Sequence, residues 1–265
     1  MSEYDKTPSF KLTELDSPIT SHAVVVAVDD GTMIRADGTG LFIARQLVVT
    51  AAHVIQHFWN VIEQRPIPSG EVACQFGIHI LQFPGECAVP ALWAVRRVWV
   101  SPITDIAFMH VVPVSKEAEE FAWSGSLQIE PLPPSVGDRV VGFGYPSSSA
   151  RVTSRSPIQH VDWDLRPHTT VGEIETVFED RRDRTLLHFP CFQTNARFDG
   201  GMSGGPILNS TGQLCGIISA ALQTDEQGPY TSYGAMIWPA LFTTVDFKVL
   251  DLNARVHMVS LNYPM

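Results

Sequence analysis

The chain has 265 residues, 45% of them hydrophobic and 17% charged, which suits one domain or two small ones around a buried core. Lys and Arg number 18 against 28 Asp and Glu, a net charge of -10 that argues against a nucleic-acid partner, because phosphate backbones are held by basic faces. No apolar run reaches the length of a membrane-spanning helix, and the N-terminus lacks the cationic start and apolar block of a secretory signal, so a cytoplasmic protein with no membrane partner is expected.

In chain order the pattern is mainly β. Residues 23–28 read as a buried strand, closed by the turn formers Asp29, Asp30 and Gly31. Residues 41–44 and 47–50 are short apolar runs around Arg45 and Gln46, a tight hairpin, and residues 51–58 look like a short helix. Strands are expected at 72–81, 92–100 and 106–112, then a helix at 115–123 with Ser115 as N-cap and Glu117 in its first turn. The proline-rich stretch 131–134 is placed to link two half-domains. Further strands are expected at 139–143, 169–178, 185–194, 206–208, 214–222 and 233–237, with the charged run 179–184 as a solvated hairpin tip and a last helix at 239–247. Many short strands between turn signals point to a sandwich or barrel rather than βαβ units.

Cys74, Cys87, Cys191 and Cys215 show no metal-ligand spacing and read as free buried thiols in a reducing compartment, with a disulfide between two of them left open. The histidines show no metal-ligand spacing either; His57, four residues after His53, would share its helical face and reads as structural. No metal or cofactor is expected.

Three motifs carry chemistry: Thr50-Ala51-Ala52-His53-Val54 at a strand-to-helix junction, Thr104-Asp105-Ile106-Ala107 at a strand start, and Gly200-Gly201-Met202-Ser203-Gly204-Gly205-Pro206. A serine hydroxyl is a weak nucleophile until a base takes its proton, and histidine is the usual base at neutral pH. A carboxylate then fixes the imidazole tautomer. Glycines beside the serine let successive N–H groups converge on one point, as an oxyanion requires. Alone, each motif has a plain structural explanation; together, in the order His, Asp, Ser, they do not.

On these residues the chain resembles the trypsin-like, chymotrypsin-fold serine peptidases, and most closely the HtrA-type catalytic domain. The landmarks run from Gly38-Thr39-Gly40-Leu41-Phe42 through His53 and Asp105 to Val136-Gly137-Asp138, Gly142-Phe143-Gly144-Tyr145-Pro146 and the Ser203 segment. The resemblance implies an all-β fold of two packed six-stranded antiparallel barrels with few short helices: an N-terminal extension 1–20, a first barrel 21–130 with His53 and Asp105, a second barrel 131–240 with Ser203, and a C-terminal extension 241–265. It implies Ser203 as nucleophile, His53 as general base and then acid, Asp105 as orienter, and the Gly201 and Ser203 N–H groups as oxyanion hole. Ser219 would sit near the buried aspartate, and Ser219, Ala220 and Ala221 would pair with an extended protein or peptide substrate.

Met202 stands where secreted relatives carry an aspartate that receives a new N-terminal amine, so activation by that route is not expected. Too few residues follow Pro239 for the PDZ domain that HtrA-type relatives append, so control by such a module in the same chain is not expected; a regulatory protein partner and an activating conformational change of the nucleophile loop are both left open. Arg197 occupies the floor position of the specificity pocket. Pointing inward it would favour an acidic residue before the scissile bond; pointing outward it would pair with Asp199 or solvent. A serine endopeptidase is the leading expectation, a catalytically silent peptide-binding module the alternative, and an esterase a third use of the same machinery.

Overall fold

The computed structural model describes residues 8–63, 70–73, 77–83, 89–121, 127–154, 160–222, 231–246 and 255–257. β-Branched residues are frequent in apolar runs such as Ala23–Asp29 and Leu47–Ala51, and their stiff side chains suit a pleated backbone better than a helix. A short strand β1 (Ser9–Leu12) is followed by β2 (Ala23–Asp29), β3 (Ile34–Ala44), β4 (Leu47–Ala51) and helix α1 (Ala52–Glu63). Then come β5 (Gly70–Ala73), β6 (Ile78–Gln82), β7 (Ala91–Val100), β8 (Ile106–Pro113) and the single turn α2 (Lys116–Glu119). The second half holds β9 (Arg139–Gly144), β10 (Ser149–Ser154), β11 (His160–Asp164), β12 (His168–Phe178), β13 (Cys191–Thr194), β14 (Pro206–Asn209), β15 (Leu214–Leu222) and β16 (Thr231–Met236). A last pair, β17 (Thr244–Asp246) and β18 (Arg255–His257), stands apart.

Two rings close on themselves. In the first, the order β7-β6-β2-β3-β4-β8 returns to β7; in the second, β9-β12-β13-β16-β15-β14 returns to β9. All pairings within them are antiparallel, so closure hides sheet edges that would otherwise be open. The fold is the chymotrypsin-like double barrel of two six-stranded units. Outside the rings, β5 lies end to end with β6 along β7, and β1 adds to β12.

Several elements differ from expectation. The run 72–81 is two strands, β5 and β6, with residues 74–76 outside the described part. The strand expected at 185–194 begins only at Cys191, because Asp183 Oδ1 accepts from the N–H groups of Thr185, Leu186 and Leu187 at 2.8, 2.7 and 3.2 Å and curls the chain first. The helix expected at 115–123 is the short α2, and Ser115 makes no side-chain cap; its Oγ accepts from Leu92 N–H at 3.1 Å instead. The helix expected at 239–247 is a 3-10 turn, Trp238–Phe242, followed by β17. Cys74, Cys87 and Trp123 lie outside the described residues.

Core packing joins the two barrels. One cluster runs from Val24, Val26, Phe42 and Phe108 in the first barrel to Phe143, Tyr145, Phe189 and Tyr233 in the second. A smaller one, with Val140, Ile174, Phe192, Phe198, Met202, Ile207 and Met236, fills the second ring. Across the seam the buried Tyr145 hydroxyl donates to Ala23 O at 3.1 Å, and burial raises its pKa. Among the described residues no helix is long and apolar enough to cross a membrane.

Candidate active site

The site begins at the N-terminus of α1, where the first N–H groups have no intrahelical partner. Ala52 N–H donates to the Asp105 carbonyl at 3.1 Å and His53 N–H to Asp105 Oδ1 at 2.9 Å. Asp105, just before β8, therefore caps a helix distant in sequence, and the helix dipole favours its negative charge. The same carboxylate orients the imidazole, with Oδ2 at 2.7 Å from His53 Nδ1, and accepts from Ser219 Oγ at 2.5 Å. Asp105 is 9% exposed and His53 45%, so the carboxylate is sheltered while the ring meets solvent.

The serine segment is held from both barrels. Gly201 and Gly204 adopt φ of 94° and 88°, the left-handed region open mainly to glycine. A Cβ on Gly204 would lie 2.1 Å from both Thr39 O and Thr50 Oγ1. Thr39, on β3, is the brace: its N–H donates to Ser203 O at 2.8 Å, its Oγ1 to Gly201 O at 2.8 Å, and that Oγ1 accepts from Tyr145 N–H at 3.1 Å. Met202 is fully buried in the second barrel, anchoring the loop by packing rather than by charge. Thr39 was part of a sequence landmark, but nothing in a threonine between glycines announces a brace.

His53, Asp105, Ser203, Ser219, Ala220 and Ala221 line one cleft of about 720 Å³. Ser203 Oγ donates to Ser219 O at 3.4 Å, a long bond, and no hydrogen bond joins it to His53. The Gly201 and Ser203 N–H groups have no acceptor among the described residues. β15 is paired with β14 up to Ile217, and Ile218 is bonded to Gly204 and Gly205; from Ala220 onward, among the described residues, it pairs with β16 alone, leaving its other edge open beside the cleft.

Of the two orientations expected for Arg197, the structure has the outward one, paired with Asp199, and not the pocket-floor one. Its guanidinium grips Asp199, with Nε at 2.8 and 3.0 Å and Nη2 at 2.7 Å from the carboxylate oxygens, and lies 4.4 Å over the Phe10 ring. A neighbouring carboxylate two residues away and an aromatic face outside the cleft win over an apolar floor. The exposed Leu186 and His188, from the loop between β12 and β13, also line the cleft, and sequence reading had not marked them. Burial raises Cys191 to about 11 and Cys215 to about 12, which makes both free thiols poor nucleophiles. Among the described residues no cluster of His, Cys, Asp or Glu could hold a metal.

Residues 38–217 match the family described as a trypsin-like peptidase domain. An uncharacterized protein, y4bJ, of Sinorhizobium fredii (strain NBRC 101917 / NGR234) is 27% identical over 213 residues, 80% of this chain, and the chain spans 26% of that relative's length. The solved Rv3671c protease from M. tuberculosis, active form, is similar with a TM-score of 0.53 at 18% identity, covering 92% of this chain and 93% of that one. A serine-to-alanine mutant of Rv3671c from M. tuberculosis H37Rv, inactive form, gives 0.51 at 17% identity, covering 86% and 87%. These structural likenesses carry the fold. The matches reach the trypsin-like family and not the narrower HtrA-type likeness.

Proposed function

Because the chain belongs to the trypsin-like peptidase domain family, we propose that it is a serine endopeptidase working through an acyl-enzyme on Ser203. The observation that carries this reading is Asp105 holding His53 by two hydrogen bonds at a cleft that Ser203 also lines. In this reading Ser203 Oγ leaves the Ser219 carbonyl by side-chain rotation between staggered wells. It then gives its proton to His53 Nε2 and attacks the scissile carbonyl. The bond from Nδ1–H to Asp105 keeps Nε2 available as base and stabilises the imidazolium that forms.

The negative oxygen of the tetrahedral intermediate accepts from the Gly201 and Ser203 N–H groups; loss of one such donor costs about 3–4 kcal/mol in comparable sites. His53 passes its proton to the departing amine, and water repeats the sequence on the acyl-enzyme. The substrate lies as an added strand on the open edge from Ser219 through Ala220 and Ala221. With Arg197 committed to Asp199, the apolar walls of Ile218, Ala220 and Leu222 favour an uncharged apolar side chain before the cleaved bond.

The test is turnover of a peptide library together with labelling by a fluorophosphonate, in wild type and Ser203→Ala. Cleavage and labelling that vanish in the variant support the reading. Equal labelling of both proteins overturns it, and peptide capture without product would make the cleft a binding groove.

A further inference from the structure

We propose that the N-terminal strand β1 is a positioning element for the nucleophile loop, with Phe10 and Arg197 as positioning residues that act through Asp199. β1 lies outside both closed rings and completes neither. It is nevertheless fully paired to β12, from Ser9 opposite Val171 to Leu12 opposite His168. Thr13 continues the attachment, donating its N–H to Pro167 O at 2.8 Å and sharing a hydroxyl bond with Thr169 at 2.7 Å.

That attachment fixes one aromatic ring. Phe10 stacks on the His168 ring at 4.5 Å and 22°, and packs against the interior cluster of the second barrel. The Arg197 guanidinium carbon sits 4.4 Å from the centre of the same ring. An exposed ion pair alone adds little, since solvent screens it and two side chains must be ordered. Here the ring excludes water from one face of the planar guanidinium while Asp199 takes its edge by three contacts of 2.7 to 3.0 Å.

Asp199 is where the turn that ends on Ser203 starts. Its carbonyl accepts from Met202 N–H at 3.0 Å, and its own N–H faces Met202 Sδ at 3.4 Å. Fixing the Asp199 side chain therefore fixes the backbone that aims the Gly201 and Ser203 N–H groups. Met202 supplies no charge for an ionic anchor of its own, so the charged pair lies three residues earlier and the N-terminal strand braces it. The order of contacts is β1, Phe10, Arg197, Asp199, Met202.

The catalytic part of this inference rests on the peptidase reading; the structural part does not. The experiment compares wild type, Phe10→Ala and Phe10→Tyr in kcat, KM, rate of fluorophosphonate labelling and amide hydrogen exchange at Met202. Losing a partly desolvated cation–ring contact should slow kcat and labelling of Phe10→Ala by about threefold to thirtyfold, with KM changed by less than about twofold. Met202 exchange should accelerate by a similar factor while the amide of Phe192, inside the barrel, stays protected. Phe10→Tyr, which keeps the ring, should restore all of these. The inference is overturned if Phe10→Ala stays within about twofold of wild type in kcat, labelling and Met202 exchange. It is equally overturned if Phe192 and Met202 exchange accelerate together, which is general loosening. A wild type that neither labels nor cleaves sinks the peptidase reading, and Met202 exchange alone then decides whether β1 braces the loop.

Discussion

Replacing Asp105 by Asn keeps size and shape and changes one oxygen into a donor. Asp105 Oδ2 receives two donors, His53 Nδ1–H and Ser219 Oγ–H, while Oδ1 receives the His53 backbone N–H. An amide can satisfy only one side. With its NH2 toward the backbone N–H, two fixed donors face each other in a sheltered place, a penalty of about 1–3 kcal/mol. With its NH2 toward the ring, the Ser219 hydroxyl rotates to accept and the imidazole moves its proton to Nε2, and neither change is costly. The second arrangement wins, and it removes the base. The expected result for Asp105→Asn is a fall in kcat of about 10⁴, equivalent to about 5.4 kcal/mol, with KM nearly unchanged. A fluorogenic peptide assay on protein verified as folded by its melting transition measures it. A folded variant that loses less than about tenfold would refute the tautomer argument.

Met202→Asp should abolish soluble expression or lower stability by several kcal/mol, since Met202 is fully buried among apolar side chains, whereas Met202→Leu should cost less than about 1.5 kcal/mol; urea midpoints compare them. Gly204→Ala places a Cβ 2.1 Å from Thr39 O at positive φ and should lower stability by more than about 3 kcal/mol, so an unchanged urea midpoint would contradict the seam described above. Burial, reinforced by Arg97 and Arg96, holds His110 down to about 4 from its ordinary 6.5. Between those pH values the unfolded chain binds the extra proton, so stability falls as pH falls through that window and is regained above it. His79 and His22 are lowered in the same direction by burial. Melting temperature against pH should fall less steeply in His110→Leu.

The three site motifs were legible because each needs local chemistry: a helix start that offers N–H groups, an acid before a strand, and glycines where only positive φ allows the chain to turn. The strands β2, β4, β8 and β15 were legible because their apolar runs are buried almost throughout. β1, β10 and β11 were not: each alternates polar and apolar residues, but over only four to six positions, and the partner that makes the segment a strand is not visible in the sequence. The Asp199 partner of Arg197 was within reach of sequence, but what settles its direction was not. It depends on Phe10, far away in the chain, reaching the same place through β12. Residues 185–190 read as strand by composition and lost to the side chain of Asp183.

Thr39 gives the two barrels unequal standing. The C-terminal half contains all strands of its own ring, yet two of the hydrogen bonds shaping its serine segment, and a third from Tyr145 N–H, involve one threonine of the N-terminal half. A polypeptide severed within residues 131–138 would therefore leave a second fragment that holds every strand of its ring but not the groups that aim its hydroxyl. Probe reactivity would return only on mixing the fragments, because the first supplies His53 and Asp105 as well as the Thr39 brace.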